Sequence, residues 1–277
     1  MIYIVLGMHK SGTTLIAQLL HEAGIHMGQF QDGLGYDQDN TYERHETQML
    51  NRQLLHGCLI PSLGYLLRRH GQTAVNRAGY HRNQDSTALV RFGKLQTVLQ
   101  RPETAVSLRQ LVATLNGRFA HWGFKDPRTC LTYPAWREAI GDHKRIMVFR
   151  SYTQLLRHYR VHPANLPLLF RVLYAWTLHN RCLLSYVQQA AAPTLLLSYE
   201  ALMQGEVGLQ RLAAFVERPL TDQRNPILYR HRETIAPLPA TARILRPFLP
   251  GNPETIYQQL QTLHQSHLLP LTQPVPG

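Results

Sequence analysis

The chain has 277 residues, of which 44% are hydrophobic, and its mean hydropathy of −0.25 is typical of a soluble globular protein. This length is enough to bury one substantial core, so we predict a single domain over residues 1–277. Lys and Arg number 29 and Asp and Glu number 17, which gives 29 − 17 = +12 and a surface that should attract anions, either nucleic acid or a multiply charged nucleotide.

The first 24 residues predict a strand, a loop and a helix. Ile2 to Leu6 is an apolar run typical of a buried strand, and the loop 7–14 follows directly. Apolar residues then recur at helical spacing, and Thr13 or Thr14 is expected to cap the helix. A loop so placed directs backbone N–H groups and the positive end of a helix dipole at one point. We therefore predict a phosphate or sulfate site formed by His9, Lys10, Ser11, Gly12, Thr13 and Thr14.

The loop differs from the nucleotide-triphosphate P-loop in the position of its lysine. That P-loop reads G-x-x-x-x-G-K-[ST], and its lysine reaches the β and γ phosphates. Gly7 and Gly12 have the same spacing, but Thr13 occupies the lysine position and Lys10 lies inside the loop. The loop is therefore expected to hold one phosphate while Lys10 reaches a neighbouring group. Nothing nearby indicates a Mg²⁺-bound triphosphate.

A loop and a second helix are expected next. Residues 25–39 are rich in glycine and predict a loop that passes the phosphate site. Residue 40 or 41 is expected to cap a helix whose first turns contain Glu43, His45 and Glu46.

Residues 57–117 are predicted to be a helical or lid insertion that faces the substrate. The part up to residue 84 has a weak pattern with clustered arginines and histidines. Two helices are expected after it, one that begins at Asp85 or Ser86 and one that begins at Pro102 and ends before Gly117.

Two further strands are expected to end in cations. One ends at Lys125, where Asp126 and Pro127 force a turn, and the other ends at Arg150. Because open parallel sheets bind ligands at the carboxyl ends of their strands, Lys125 should join Lys10. These are two of four lysines in the chain, and a compact ammonium group suits a point contact with an anion. A buried structural lysine at position 125 is not expected.

The second half of the chain is expected to complete the sheet and to cover it. Residues 236–277 are punctuated by proline and are predicted to be a tail with short helices. The cluster Tyr229-Arg230-His231-Arg232 precedes the tail and is either an anion-binding segment or a solvated charge run. The elements expected earlier are the helix 152–160, the helix 167–191, the strand 194–198 and the helix 209–216.

Cysteine and histidine usage bears on compartment and metal binding. Cys58, Cys130 and Cys182 are odd in number and lack C-x-x-C spacing, which favours reduced thiols in a cytoplasmic protein. The 15 histidines are scattered without metal-ligand spacing, so no metal site is predicted. The apolar run at the amino terminus is too short for a signal peptide, and no transmembrane segment is expected.

These motifs resemble those of the sulfotransferases that use 3′-phosphoadenosine 5′-phosphosulfate (PAPS), in their bacterial branch. The resemblance rests on Lys10 before Ser-Gly-Thr-Thr, on Lys-Asp-Pro-Arg at 125–128, on Arg150 and on Ser-Tyr-Glu at 198–200. It implies a three-layer α/β fold of the P-loop type, with a central parallel sheet flanked by helices and no metal requirement. It also implies an enzyme of the EC 2.8.2 type that moves the sulfuryl group of PAPS to a hydroxyl or amine of an acceptor and releases PAP.

The resemblance also suggests how the donor is held. Lys10 is expected to stabilise the leaving phosphate in the transition state, and Lys125 to contact the sulfonate oxygens. In this family an arginine at a strand end, here Arg150, holds the 3′-phosphate together with a serine eight residues later. This chain has His158 at that position, with Ser151 as an alternative donor. A basic segment near the carboxyl end closes over the same phosphate, and Arg230 belongs to the candidate segment.

At the position of the general base, the sequence departs from the commonest pattern of the family. Many members carry a histidine two residues after the lysine of the second strand, and Pro127 stands there in this chain. Other branches use a glutamate soon after the phosphate loop, for which Glu43 is the counterpart, with Glu46 and His45 as alternatives. Such a base is expected to have a pKa raised toward the working pH.

Other functions stay open on the residues alone. A nucleotide kinase would explain the glycines of the loop but not Thr13, and a nucleic-acid-binding module would explain the charge but not the cations at strand ends. An inactive relative that binds PAP agrees with His158 and the unsettled base. The acceptor is open among small molecules, carbohydrates, lipids and peptides, and we expect no nucleic-acid partner.

Overall fold

A parallel sheet of four strands lies at the centre of the computed structural model, which describes residues 1–30, 33–38, 40–60, 87–189, 191–225, 229 and 238–266. The strands are β1 (Ile2–Leu6), β4 (Trp122–Lys125), β5 (His143–Phe149) and β6 (Thr194–Ser198), in the order β4-β1-β5-β6. The short strands β2 (Leu59–Ile60) and β3 (Leu89–Val90) form a separate antiparallel pair.

The first strand lies in the interior of this sheet and is buried on both faces. It pairs in parallel with β4 on one side and with β5 on the other. Ile2, Ile4 and Leu6 pack into the core on one face, while Tyr3 and Val5 pack into the core on the opposite face. Because both faces are covered, the strand is apolar at every position instead of alternating with polar residues.

Helices cover both faces of the sheet and give the molecule three layers. The core on one face includes α1 (Thr13–Glu22), α8 (Tyr199–Gln204) and α9 (Val207–Val216). The predicted three-layer α/β fold with a central parallel sheet is confirmed. The core on the other face includes α2 (His45–Leu55), α3 (Phe92–Leu99), α4 (Pro102–Arg118), α5 (Thr129–Ala139), α6 (Tyr152–His158), α7 (Leu166–Gln188), α10 (Ala240–Leu245) and α11 (Pro253–Ser266), and a 3₁₀ turn (Arg246–Phe248) follows α10.

Two predicted helix starts are wrong. Neither Thr13 nor Thr14 caps α1, because Gly12 is the N-cap and adopts a left-handed conformation with no side-chain cap. The helix expected to contain Glu43 begins only at His45. Tyr42 has a φ of 47°, a left-handed conformation that interrupts any helix through this position. Glu43 therefore lies on the connection before α2.

The predicted insertion is described in part. Residues 61–86 lie outside the described residues, and so do the expected caps Asp85 and Ser86. The helix expected to start there is wrong in its first turns, because Leu89–Val90 forms β3 and the helix begins only at Phe92. The next helix begins at Pro102, as predicted. Leu95 of α3 and Leu108 of α4 pack into the core of the main domain. The division into a core and an insertion stays a prediction.

One helix at the site was not predicted. After β4 the chain turns at Asp126 and enters α5 directly, where we expected only a turn. Pro134, the sixth residue of this helix, hides the helical pattern from a reading of the sequence, because proline in a helix interior removes a backbone hydrogen bond.

Two further observations concern the cysteines and the helix lengths. Cys58, Cys130 and Cys182 are buried and free. Within the described ranges, no helix combines the length and the apolar character needed to cross a membrane.

Candidate active site

The loop after β1 is held in a strained backbone conformation. Lys10 has a φ of 67° and Gly12 a φ of 93°, both in the left-handed region. For a residue other than glycine this conformation costs about 1–3 kcal/mol and persists only where its surroundings impose it. The backbone N–H and the hydroxyl of Ser11 both donate to the carbonyl of Met8, at 3.2 and 2.6 Å. Ser11 is buried, so its side chain closes the loop and does not face a ligand.

The start of α1 is available to an anion. No described side chain accepts a hydrogen bond at its N-cap, and the first N–H groups of a helix have no partner inside the helix. Those groups and the helix dipole favour a phosphate or sulfate at this point. Thr13, in the position of the triphosphate-binding lysine, is buried and lines the adjacent cleft.

The segment Ser198–Glu200 packs against the phosphate loop. A Cβ added to Gly12 would lie 2.1 Å from Cδ2 of Tyr199, so only glycine allows the ring to pack here. The carboxylate of Glu200 accepts from the backbone N–H of Ser151 at 2.8 Å and from the hydroxyl of Ser198 at 3.0 Å. These contacts join β6 to the end of β5 and give the Ser-Tyr-Glu motif a structural role.

Arg150 lies beside Lys10, as its position after β5 predicts. Its Nη1 donates to the carbonyl of Lys10 at 3.0 Å, and its Nε donates to Oε1 of Gln154 at 2.8 Å. The guanidinium carbon lies 4.7 Å from the centroid of the Tyr199 ring. These contacts hold Arg150 against the phosphate loop.

His158 lies close to the same cations. Burial of the ring, together with the positive charges of Lys10 and Arg150, lowers its pKa to about 4. Ser151, the alternative donor, is buried, and its hydroxyl caps α6 by accepting from the N–H of Gln154. Arg230 lies outside the described residues.

A cleft of about 720 Å³ collects most of the predicted site residues. Ser11, Gly12 and Arg150 do not line it, since the first two build the loop and the third lies beside it. The cleft therefore brings together residues of the β1 loop, the end of β4, the connection before α2 and the end of α6. The predicted site residues that line it are His9, Lys10, Thr13, Thr14, Glu43, Lys125 and His158.

Lys125 and Glu43 form a buried ion pair in this cleft. Nζ of Lys125 lies 3.0 Å from Oε1 of Glu43, and the two side chains are 2% and 10% exposed. Gln48 donates to the other carboxylate oxygen, and Nη1 of Arg128 lies 3.9 Å from it. Burial alone would raise the pKa of Glu43, but the charges of Lys125 and His9 and the hydrogen bonds from Lys125 and Gln48 lower it to about 2.

This pair corrects two expectations. Lys125 is buried, although a buried lysine was not expected at this position, because Glu43 compensates its charge. The pKa of Glu43 is lowered, whereas a general base was expected to have a raised pKa. With Lys125 bound to it, Glu43 is a weak base.

Asp126 holds the turn that presents Arg128 to the cleft. It is fully buried and accepts from the backbone N–H of Arg128 at 3.0 Å, from Nη1 of Arg128 at 2.9 Å and from Nδ2 of Asn51 at 2.9 Å. Burial raises the pKa of Asp126, and the charge of Arg128 opposes that shift. The local Asp-Pro-Arg spacing indicates part of this network. Asn51, 75 residues earlier in the chain, gave no signal that linked it to Asp126.

His9 presents an unsatisfied nitrogen at the site. Its Nε2 is buried and has no hydrogen-bond partner in the described part of the chain. The pKa of His9 is lowered to about 3, chiefly by burial; the charge of Glu43 opposes this shift, and Arg128, His179 and Lys125 contribute to it. The imidazole is therefore neutral, and Nε2 can donate or accept one hydrogen bond with a bound molecule.

Comparisons with known proteins give matches among solved structures alone. No family model and no curated protein matches this chain. The sulfotransferase domain from the curacin biosynthetic pathway is 14% identical with a TM-score of 0.47, over 90% of this chain and 97% of that chain. The sulfotransferase domain from the Synechococcus PCC 7002 olefin synthase is 19% identical with a TM-score of 0.45, over 95% of this chain and 94% of that chain.

These two structures are sulfotransferase domains, the class of protein that the sequence motifs resemble. At these identities and TM-scores the likeness carries no information on chemistry. The function has to be inferred from the site.

Proposed function

We propose that this protein transfers the sulfuryl group of PAPS to a hydroxyl or amine of an acceptor and releases PAP. One arrangement supports the proposal most directly: Lys10 and Lys125 line the same cleft as the uncapped start of α1. Thr13 stands where a triphosphate-binding loop has its lysine. Such a site suits a single phosphate joined to a second small anionic group.

The proposed roles follow from position. The first turn of α1 would bind the 5′-phosphate, and Lys10 would face the oxygen that joins this phosphate to sulfur. Arg150 and His158 would bind the 3′-phosphate. As the acceptor atom attacks sulfur, the bond from sulfur to the bridging oxygen breaks and negative charge grows on that oxygen. A cation already held there acts mainly in the transition state.

Glu43 remains our proposal for the base, on one condition. While Lys125 is bound to it, its pKa of about 2 makes it a poor proton acceptor. A sulfonate group in the cleft would attract Lys125, and loss of that contact raises the pKa of a buried carboxylate. Glu43 would then accept the acceptor's proton. His45 also lines the cleft and is the alternative, whereas Glu46 does not line it.

The test is release of PAP from PAPS with a panel of hydroxyl and amine acceptors. Lys10→Ala should lower kcat by about 10²-fold or more, by analogy with removal of one oxyanion donor. Lys94→Ala is the control, since Lys94 is exposed and does not line the cleft. A Lys10→Ala protein with nearly normal turnover would contradict the role of Lys10.

The ion pair also favours a second candidate, a protein that binds PAP without turning over PAPS. Such a protein would keep Lys125 on Glu43 after the ligand is bound. It would show tight PAP binding, no turnover with any acceptor, and no effect of Glu43→Gln on PAP affinity.

A further inference from the structure

The cleft carries more positive charge than the proposed contacts to the donor use. Its described lining holds six cations and one carboxylate, Glu43, so the balance is 6 − 1 = +5 with histidines neutral. Lys10 and Lys125 are assigned to the phosphosulfate, and Arg150, assigned to the 3′-phosphate, is not part of the lining. Arg128 is bound to Asp126. Arg52, Arg160 and Arg171 remain.

These three arginines come from three different elements. Arg52 is on α2, Arg160 follows α6 in a left-handed conformation with a φ of 50°, and Arg171 is on α7. Nε of Arg171 donates to the carbonyl of Thr87 at 3.2 Å, which fixes the direction of that side chain. All three line the same cleft.

The position of Arg52 along α2 fits a contact with the acceptor. His45, Gln48 and Arg52 all line the cleft and share one face of α2, because they are spaced three and four residues apart. At a rise of about 1.5 Å per residue, Arg52 lies about 10 Å along the helix from His45. Glu43, the proposed base, directly precedes the helix. Arg52 is therefore well beyond the expected position of the sulfonate group.

We propose that the acceptor carries its own anionic group, a carboxylate, phosphate or sulfate, which Arg52 and Arg160 recognise with support from Arg171. This proposal rests on the proposed function and narrows its substrate class. Guanidinium groups bind carboxylate and phosphate groups with paired hydrogen bonds. In the described part of the chain, the side chains of Arg52 and Arg160 have no hydrogen-bond or ion-pair partner, so both can turn to a ligand.

The experiment measures binding of matched probes to the PAP-saturated protein by calorimetry. The pairs are glucuronate with glucuronamide, and 4-hydroxyphenylacetate with 4-hydroxyphenylacetamide, which differ in charge and keep the hydroxyl. The anionic member of at least one pair should bind about tenfold or more tightly. Arg52→Gln and Arg160→Gln should each bring that ratio toward one and leave the affinity for PAP unchanged.

Arg109→Gln is the matched control, because it removes the same charge from an exposed position on α4 outside the cleft. Equal binding of both members of each pair, or no binding of any probe, would overturn the proposal. So would a ratio that survives in Arg52→Gln and Arg160→Gln, or one that Arg109→Gln lowers equally. PAP binding without anion preference rejects this proposal alone, whereas failure to bind PAP rejects the proposed function as well.

Discussion

Lys125 and Glu43, two candidate catalytic residues, form an ion pair in the free protein. Each could be predicted from its local sequence, since Lys125 ends a strand and Glu43 follows the glycine-rich loop. Their contact could not be predicted, because the residues lie 82 positions apart and meet only when β4 and the start of α2 come together. The pairing changes the chemistry of both, because it buries a lysine and lowers the pKa of the expected base.

Removal of one partner should destabilise the fold strongly. Lys125→Met leaves the Glu43 carboxylate buried without its partner, which should cost about 3–5 kcal/mol in the free energy of unfolding. The double variant Lys125→Met with Glu43→Gln should recover a large part of that loss, measured by urea unfolding.

Lys144→Met provides the control. Lys144 pairs with Glu217, whose side chain is 78% exposed, so its loss should cost much less. Equal losses for Lys125→Met and Lys144→Met, or no recovery in the double variant, would show that the buried pair does not stabilise the fold.

His158 should take up a proton when PAP binds. Its pKa is about 4 in the free protein because burial and the charges of Lys10 and Arg150 disfavour the imidazolium. A bound 3′-phosphate would raise that pKa, so the bound state holds more protons and affinity should strengthen as the pH falls from 7 toward about 5. Calorimetry at pH 5.5 in two buffers of different ionisation enthalpy measures the uptake.

The quantity to compare is the number of protons taken up on PAP binding by the wild type and by His158→Gln, because the phosphates of PAP also titrate near pH 6. His56→Gln is the control, since His56 is exposed and does not line the cleft. If His158→Gln takes up as many protons as the wild type, His158 does not contact the 3′-phosphate.

At the scale of elements, the phosphate loop depends on a partner that is remote in sequence. The spacing of Gly7 and Gly12 predicted the loop and its helix, but not the ring of Tyr199 that packs against Gly12. The start of α2 was misplaced for a related reason. Polar residues near position 40 look like a helix cap, whereas the left-handed Tyr42 delays the helix to His45.

Gly12→Ala should disrupt the loop. The new Cβ would meet the Tyr199 ring at 2.1 Å, and the φ of 93° is strained for alanine. We expect lower stability and a loss of PAP affinity of at least about tenfold, measured by calorimetry.

The control is Gly117→Ala in α4, where a Cβ meets nothing within 4 Å. It should leave PAP affinity unchanged and stabilise the helix by up to about 1 kcal/mol. A Gly12→Ala protein that binds PAP normally would contradict the structural account of the loop.

At the scale of the whole molecule, the sheet order explains why the cations meet. β1 lies between β4 and β5 and runs parallel to both. The phosphate loop, Lys125 and Arg150 therefore all lie at the carboxyl ends of neighbouring strands. Strand positions and this convergence could be predicted from apolar runs that end in cations. The unpredicted helix α5 and the contribution of Gln48 and Arg52 to the cleft depend on tertiary packing, for which local patterns carry little signal.

The net charge of +12 predicted an anionic ligand without saying which. The structure places six of the cations around one cleft, which favours a multiply charged ligand over a surface that binds nucleic acid along its length.

The most direct test of the account is the affinity of the protein for PAP and for ATP, measured side by side by calorimetry with and without Mg²⁺. We expect PAP to bind at least about tenfold more tightly, a difference of about 1.4 kcal/mol, and to bind independently of Mg²⁺. ATP lacks the 3′-phosphate for Arg150 and His158, and Thr13 cannot replace the triphosphate-binding lysine. ATP binding that requires Mg²⁺ and equals or exceeds the affinity for PAP would contradict the proposed donor.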